Sequence, residues 1–362
     1  MRFIYIFLVF LLGIAPDVYG LKVLHLGFHT GCMSSFREVA RECSLDLVEW
    51  HILSSQASVD RLNGAPTRYL NLYNMTHERA AAIWRANEHC FSSFDLIITS
   101  DTAPLSRIFL QNGWNKPLII WVCNRFNYCV GPGSAGGMDD EYYELFRKAV
   151  HMPNVRVVSY TPFEQYFAAL YRVDIRPHLI KPIGSSERAC QQSAFVGVNK
   201  SDTIFVYPGH SGGSQSQIDY LKDTCGSLFP VCCGKFNGPD DLKDFKGVVY
   251  FPYEASNIVL FENIERGIVH FIPSERFIEN CIAKGEPIYY WYEPNYCEWY
   301  FGEHRDILVY FDSWKDLQYK VATTDYVFMR KKIKEFARYH RAKMLTRWRI
   351  IFDELVFGDR DR

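Results

Sequence analysis

What most constrains this chain is an alternation of short apolar runs with helical patterns. It begins at residue 21, lapses near 184 and starts again near 203. KVLHLGF (22–28), DLVEWHI (46–52), DLIITSD (95–101), PLIIWVCNRF (117–126), VRVVSYT (155–161) and HLIKPIG (178–184) read as buried strands. Between them, MSSFREVAREC (33–43), THERAAAIWRANEHC (76–90), APLSRIFLQNG (103–113), EYYELFRKAVH (141–151) and PFEQYFAALY (162–171) read as helices. In the first of these, Phe36, Val39, Ala40 and Cys43 share one face. Strands buried on both faces and alternating with helices belong to a parallel sheet, because a parallel pair needs a crossover that a helix supplies.

The stretch GSSERACQQSAFVGVNKSD (184–202) has no period and reads as a linker. Alternation then resumes with TIFVYPG (203–209), SQIDYLKDTC (216–225), SLFPVCCG (227–234), VVYFPY (248–253), SNIVLFENIERG (256–267) and IVHFIPS (268–274). The expected fold is α/β, with two Rossmann-like doubly wound domains at 21–184 and 203–325 facing a cleft. A last helix, from Tyr326 to Val356 within the segment 326–362, carries Ile333, Phe336, Ala337, His340, Met344, Trp348, Ile351 and Leu355 in one stripe. It is expected to cross back and pack on the first domain. Its nine Lys and Arg residues between 330 and 349 read as a solvated face, with a membrane-surface helix as the alternative.

At 362 residues there is room for two cores, and a net charge of −1 gives no case for nucleic acid as a partner. Residues 1–20 hold Arg2, the apolar stretch FIYIFLVFLLGIA and a terminal Gly20, the layout of a cleaved signal peptide. A signal anchor is the alternative. Cleavage would leave no stable membrane span and a protein of the endoplasmic reticulum, Golgi or exterior. The eleven cysteines suit that compartment, with local disulfide bridges expected at Cys123–Cys129 and between Cys225 and Cys232 or Cys233. Asn74 and Asn199 head sequons, so the chain reads as a glycoprotein. No CxxC spacing with histidines behind it suggests zinc, and no cofactor is implied.

The most informative stretch is VVYFPYEASNIVLFENIERGIVHFIPS. Glu254 falls in a loop after a strand, a helix opens near Ser256 and Asn257, Glu262 lies on it, and Gly267 closes it. N–H groups at a helix start can hold a diphosphate, and a carboxylate farther along can accept from ribose hydroxyls. This Glu-x7-Glu frame resembles the donor-binding motif of retaining GT-B glycosyltransferases, and the two-domain order is similar to that family across nearly the whole mature chain. The resemblance implies a nucleotide-sugar donor and a glycan, glycoprotein or lipid acceptor. It places Glu254 against the transferred sugar and Glu262 against the ribose. An exposed acidic pair on a helix edge is the alternative.

YPGHSGGSQSQ is similar to the family's glycine loop near phosphate, with Gly209, Gly212 and Gly213 allowing close approach and Ser214 capping the helix. The family often has Arg or Lys there; this chain offers His210, with Lys235 as a second cation. GFHTGC resembles the first glycine-rich loop of the N-terminal domain. Gly27 and Gly31 would shape it and His29 or Thr30 would reach the reacting sugar. Asp101 and the pair Asn124-Arg125 fall at neighbouring strand ends and should converge with it; Asp101 also suits a helix cap and Arg125 a structural pair. No side-chain base is demanded for retention, whereas inversion would call on Asp101 or His29. The only DxD triplet, Asp359-Arg360-Asp361, is at the far C-terminus, and Asp139-Asp140-Glu141 opens a helix, so transfer is expected without metal. The expected activity is therefore glycosyl transfer; an inactive glycan- or nucleotide-sugar-binding protein on the same scaffold is the alternative.

Overall fold

The computed structural model describes residues 20–51, 75–128, 130, 138–185, 195, 197–207, 215–234, 236–288, 294–356 and 358. The candidate signal, Asn74, Cys129, Gly209, His210, Gly212, Gly213, Ser214, Lys235 and the DxD triplet lie outside them. Two compact units emerge. The first comprises Met1–Tyr160, Glu164–Lys181 and Met344–Arg362, the second Thr161–Phe163 and Pro182–Lys343.

In the first unit, β1 (Lys22–Gly27), α1 (Thr30–Glu42), β2 (Asp46–His51), α2 (His77–Phe91), β3 (Leu96–Asp101), α3 (Arg107–Leu110), β4 (Leu118–Val122), α4 (Asp140–Ala149), β5 (Val155–Ser159) and α5 (Pro162–Leu170) follow one another. The strands form one sheet in the order β2-β1-β3-β4-β5, with parallel pairing throughout. In the second unit the elements are β6 (Ile204–Val206), α6 (Gln215–Gly226), β7 (Val231–Cys233), β8 (Gly247–Val249), α7 (Ile258–Glu265), β9 (His270–Pro273), α8 (Glu275–Ala283), β10 (Val309–Phe311) and α9 (Trp314–Thr323). Their order is β10-β9-β8-β6-β7, again parallel. Counted within its own unit this is the same 2-1-3-4-5 winding, so both sheets are doubly wound. Each winding reverses between its first and third strands, β1/β3 and β6/β8, which is where such sheets open a crevice at their carboxyl edge.

The strands form where apolar side chains leave no face to water: Val23, Leu24, Leu26, Ile97, Ile98, Leu118, Ile119 and Ile120 are fully buried. The strand expected at 178–184 does not form. Leu179 makes one isolated bridge to Ser159, through Ser159 N–H to His178 O and Ile180 N–H to Ser159 O. Pro182 then has no N–H with which to extend the ladder. The expected bridge among Cys225, Cys232 and Cys233 is likewise absent, and all three are free thiols. Cys225 is buried on α6, whereas Cys232 and Cys233 are only half-buried on β7.

The final helix, α10 (Tyr326–Val356), serves both cores. Ile333 and Ala337 join the apolar cluster of the second unit, where Arg341 donates to Glu265 Oε1 (3.0 Å) and to Gly184 O (2.7 Å). Buried His340 donates from Nε2 to Pro182 O (2.8 Å), a satisfied core histidine. In the first unit Trp348 sits edge-on to Phe36 and Trp121, both at 5.4 Å between ring centres. Pairs of this geometry add roughly 0.5–1.5 kcal/mol each beyond the area they bury. Arg330 and Arg347 also donate to backbone carbonyls, so part of the basic face is a set of structural donors. Among the described residues no helix is long and apolar enough to cross a membrane.

Candidate functional site

At the β1/β3 switch point of the first sheet, the chain leaves β1 at Gly27 and enters α1 three residues later. Gly27 leaves room that a side chain would contest: a Cβ there would crowd Met33 Sδ and stand 2.8 Å from Ser100 Oγ, so these side chains would have to shift. The helix starts at Thr30, earlier than the pattern suggested, because His29 caps it. His29 Nδ1 accepts the Gly31 N–H at 3.1 Å. Nδ1 is thus the acceptor nitrogen, and a neutral ring carries its proton on Nε2. Thr30 and Gly31 are the first helical residues, Thr30 exposed and Gly31 buried.

β3 ends on Asp101, whose φ of +73° is in the left-handed region. Asp tolerates that region better than most residues, and strand-end residues held there concentrate at functional sites. The Asp101 carbonyl accepts the Cys123 N–H at 3.1 Å. Its carboxylate is 4% exposed, and Oδ2 has no hydrogen-bond partner among the described residues. Burial pushes the carboxyl up to about 8, and the neighbouring Cys32 thiolate adds to the rise; His29 and a hydrogen bond from Asn124 pull the other way. Asn124 Oδ1 accepts the Arg125 N–H at 2.8 Å, leaving its amide nitrogen to face Asp101. Arg125 lies over the Tyr128 ring at 5.5 Å.

Two cysteines adjoin this cluster: Cys32, to which the pattern gave no role, and Cys123, expected in a bridge to Cys129. Cys32, in the first turn of α1, is buried, and Cys123, one residue beyond β4, has its Sγ 3.4 Å from Trp121 O. The Cys123 side chain and the nearby His29 bring the Cys32 thiol down to about 6 against its burial. Burial and the Cys32 thiolate raise Cys123 well above the ordinary thiol range. The available signal was a cysteine in the first helical turn after a glycine-rich loop, a setting that favours thiolate.

At the β6/β8 switch point of the second sheet, Tyr207 follows β6 and Tyr253 and Glu254 follow β8. The Tyr207 and Tyr253 rings are parallel within 3° at 6.2 Å between ring centres. Burial raises both phenols; the charge of Glu262 contributes at Tyr207 and that of Glu254 at Tyr253, so both carboxylates lie close to the pair. The loop is anchored by Glu298 N–H to Ala255 O (2.9 Å). Asn257 caps α7: Oδ1 accepts the Val259 N–H (2.9 Å), and Nδ2 donates to the Tyr250 hydroxyl (2.6 Å). Its side chain therefore has a structural role in the cap of α7. Ser256 is half-buried, 3.5 Å from Thr161 Oγ1. Glu262 lies in the second turn of α7, and Gly267 at φ +68° ends the helix, where a left-handed residue is needed.

The acidic run Asp139-Asp140-Glu141 is engaged structurally. Asp139 caps α4 through the Tyr142 N–H (2.9 Å) and pairs with buried Arg107, which also meets Glu141 at 3.2 Å. Among the described residues one group has the composition of a metal site: Glu298, Glu303 and His304, with ligand atoms within 4.8 Å of one another. His304 Nδ1 donates to Glu298 O at 2.7 Å, which leaves Nε2 as its ligand nitrogen.

No family profile and no curated protein matches the sequence. Solved glycosyltransferases are similar in chain course. SnogD from Streptomyces nogalater shares 10% identity at a TM-score of 0.48 over 92% of this chain and 99% of its own. UGT89C1 of Arabidopsis thaliana, in complex with UDP, shares 9% at 0.48 over 93% and 100%. The glycotransferase of kitacinnamycin shares 12% at 0.47 over 92% and 99%. At this identity the likeness assigns no residue role, substrate or reaction to this chain.

Proposed function

We propose that this chain is a glycosyltransferase of the secretory pathway. It takes a sugar from a nucleotide-diphosphate donor to a hydroxyl of a glycan, glycoprotein or lipid, without a bound metal and with retention at the anomeric carbon. The observation that carries this reading is the composition of the second sheet's switch point. There a parallel tyrosine pair and two carboxylates, Glu254 and Glu262, gather where a doubly wound sheet takes its ligand. Aromatic faces suit a base or sugar ring, and carboxylates accept from sugar and ribose hydroxyls. No aspartate cluster at either switch point is available to carry Mg²⁺ among the described residues, so helix N–H groups and cations would meet the diphosphate charge.

A second reading, inversion, is favoured by Asp101. A buried carboxyl raised to about 8, with one oxygen unpartnered among the described residues, is a strong base once ionised, so it would take a proton from an acceptor hydroxyl with a rate that climbs as pH rises toward 8. His29, with its proton on Nε2, would act as a donor beside it. The purified chain is screened against nucleotide sugars by thermal shift, since a ligand of the native state raises its melting temperature. Release of nucleotide diphosphate and the anomeric configuration of the product are then followed by NMR. A shift with release supports transfer, and the product anomer separates retention from inversion. Binding without release leaves a sugar-binding protein, and no shift with any donor sinks the proposal.

A further inference from the structure

While α10 buries Ile333, Ala337 and His340, the side it turns away from the second unit's core is open to water. There Val327 is 82% exposed, Phe328 55% and Tyr339 64%. A single apolar side chain on a surface is ordinary; three on one helical face, set among charges of one sign, are not. At 3.6 residues per turn, Lys331, Lys332, Lys334, Arg338 and Lys343 fall on that same side, with Glu335 the one acid among them. Five bases against one acid leave a local charge of +4 on a chain whose net charge is −1. Among the described residues none of the five is paired with a carboxylate, whereas Arg330 and Arg341 turn inward to backbone carbonyls and Glu265. Lys332 and Lys343 hold their ammonium groups 5.7 and 5.8 Å from the Phe328 and Tyr339 ring centres, so ring and cation lie side by side.

We infer that the face of α10 from Val327 to Lys343 docks on an anionic lipid bilayer, with the helix axis lying in the plane of the headgroups. The strip is about 24 Å long at 1.5 Å per residue. Val327, Phe328 and Tyr339 would enter the boundary between headgroups and acyl chains. The long basic side chains would lie along them and carry their charges back to the lipid phosphates. Charge and apolar exposure together select this occupant. A polyanion in solution would meet the bases and leave Val327 and Phe328 in water. A second copy of the same face would set +4 against +4.

The test uses the chain without the candidate signal, residues 1–20, whose own apolar run would enter lipid. Binding is read by co-sedimentation with vesicles of phosphatidylcholine alone or of phosphatidylcholine and phosphatidylserine, and circular dichroism confirms the fold of each variant. Anionic vesicles should hold at least about tenfold more protein, and the excess should shrink as salt is raised. Lys331→Gln with Arg338→Gln should lower that partition at least about tenfold. Val327→Ser with Phe328→Ser should lower it with the charge unchanged, whereas Lys148→Gln, an exposed change on the first unit, should leave it as it is. Equal binding to both kinds of vesicle would overturn the inference, as would partition that either double variant leaves intact in folded protein. Retention on heparin or RNA without partition onto anionic vesicles would overturn it in favour of a soluble polyanion.

Discussion

Replacing Asp101 with Asn tests the electrostatics of the first switch point without touching its shape. Asn is isosteric and accepts the left-handed backbone that Asp101 adopts at φ +73°. The carboxyl is raised from its ordinary 3.8 to about 8, chiefly by burial. A carboxyl raised on folding binds its proton more tightly in the native state. Stability from this group is therefore full below about pH 4 and falls as pH climbs toward 8. The Cys32 thiol, lowered to about 6, acts in the opposite sense above that value. The interval from pH 4 to pH 6 therefore isolates Asp101. Two pH units at about 1.4 kcal/mol each predict that wild type loses about 3 kcal/mol there relative to Asp101→Asn. Urea unfolding at the two pH values, followed by tryptophan fluorescence, reads the difference; five of the eight tryptophans, Trp50, Trp84, Trp114, Trp121 and Trp348, belong to the first unit. Identical pH slopes in the two proteins would refute the account of Asp101 as a carboxyl held protonated by burial.

Further expectations concern the two edges and the packing that shapes them. Glu254→Gln should lower turnover at least about tenfold, roughly 1.4 kcal/mol of transition-state stabilisation, while Glu262→Gln should chiefly raise the donor dissociation constant. Negligible effects from both would leave them a surface pair, as steady-state kinetics on the donor identified by thermal shift will show. Activity should survive EDTA; loss restored by Mn²⁺ would point to Glu298, Glu303 and His304, the group with ligand atoms within 4.8 Å. Gly27→Ala should cost about 1–3 kcal/mol by crowding Met33 and Ser100, measured as a lower urea midpoint, and an unchanged midpoint would mean that Met33 moves aside.

The alternation of buried runs and helical patterns was enough to specify two doubly wound sheets. A strand hidden on both faces and a one-sided helix each have their own period, and each period is written locally. The glycine that ends a helix was legible for the same reason, as at Gly267, where only the local backbone conformation decides the residue. Asp101 and His29 could be placed at neighbouring strand ends because a parallel sheet brings successive βα loops to one edge. Local pattern failed where tertiary position decides. The run at 178–184 has a strand's composition but meets Ser159 only through Leu179, because Pro182 cannot carry the ladder on. That Asn257 both caps a helix and meets Tyr250 is a matter of tertiary position as well. The parallel Tyr207–Tyr253 pair and the raised carboxyl of Asp101 depend on residues from separate strands. Burial and through-space charge set them, and neither is a property of any short stretch of the chain.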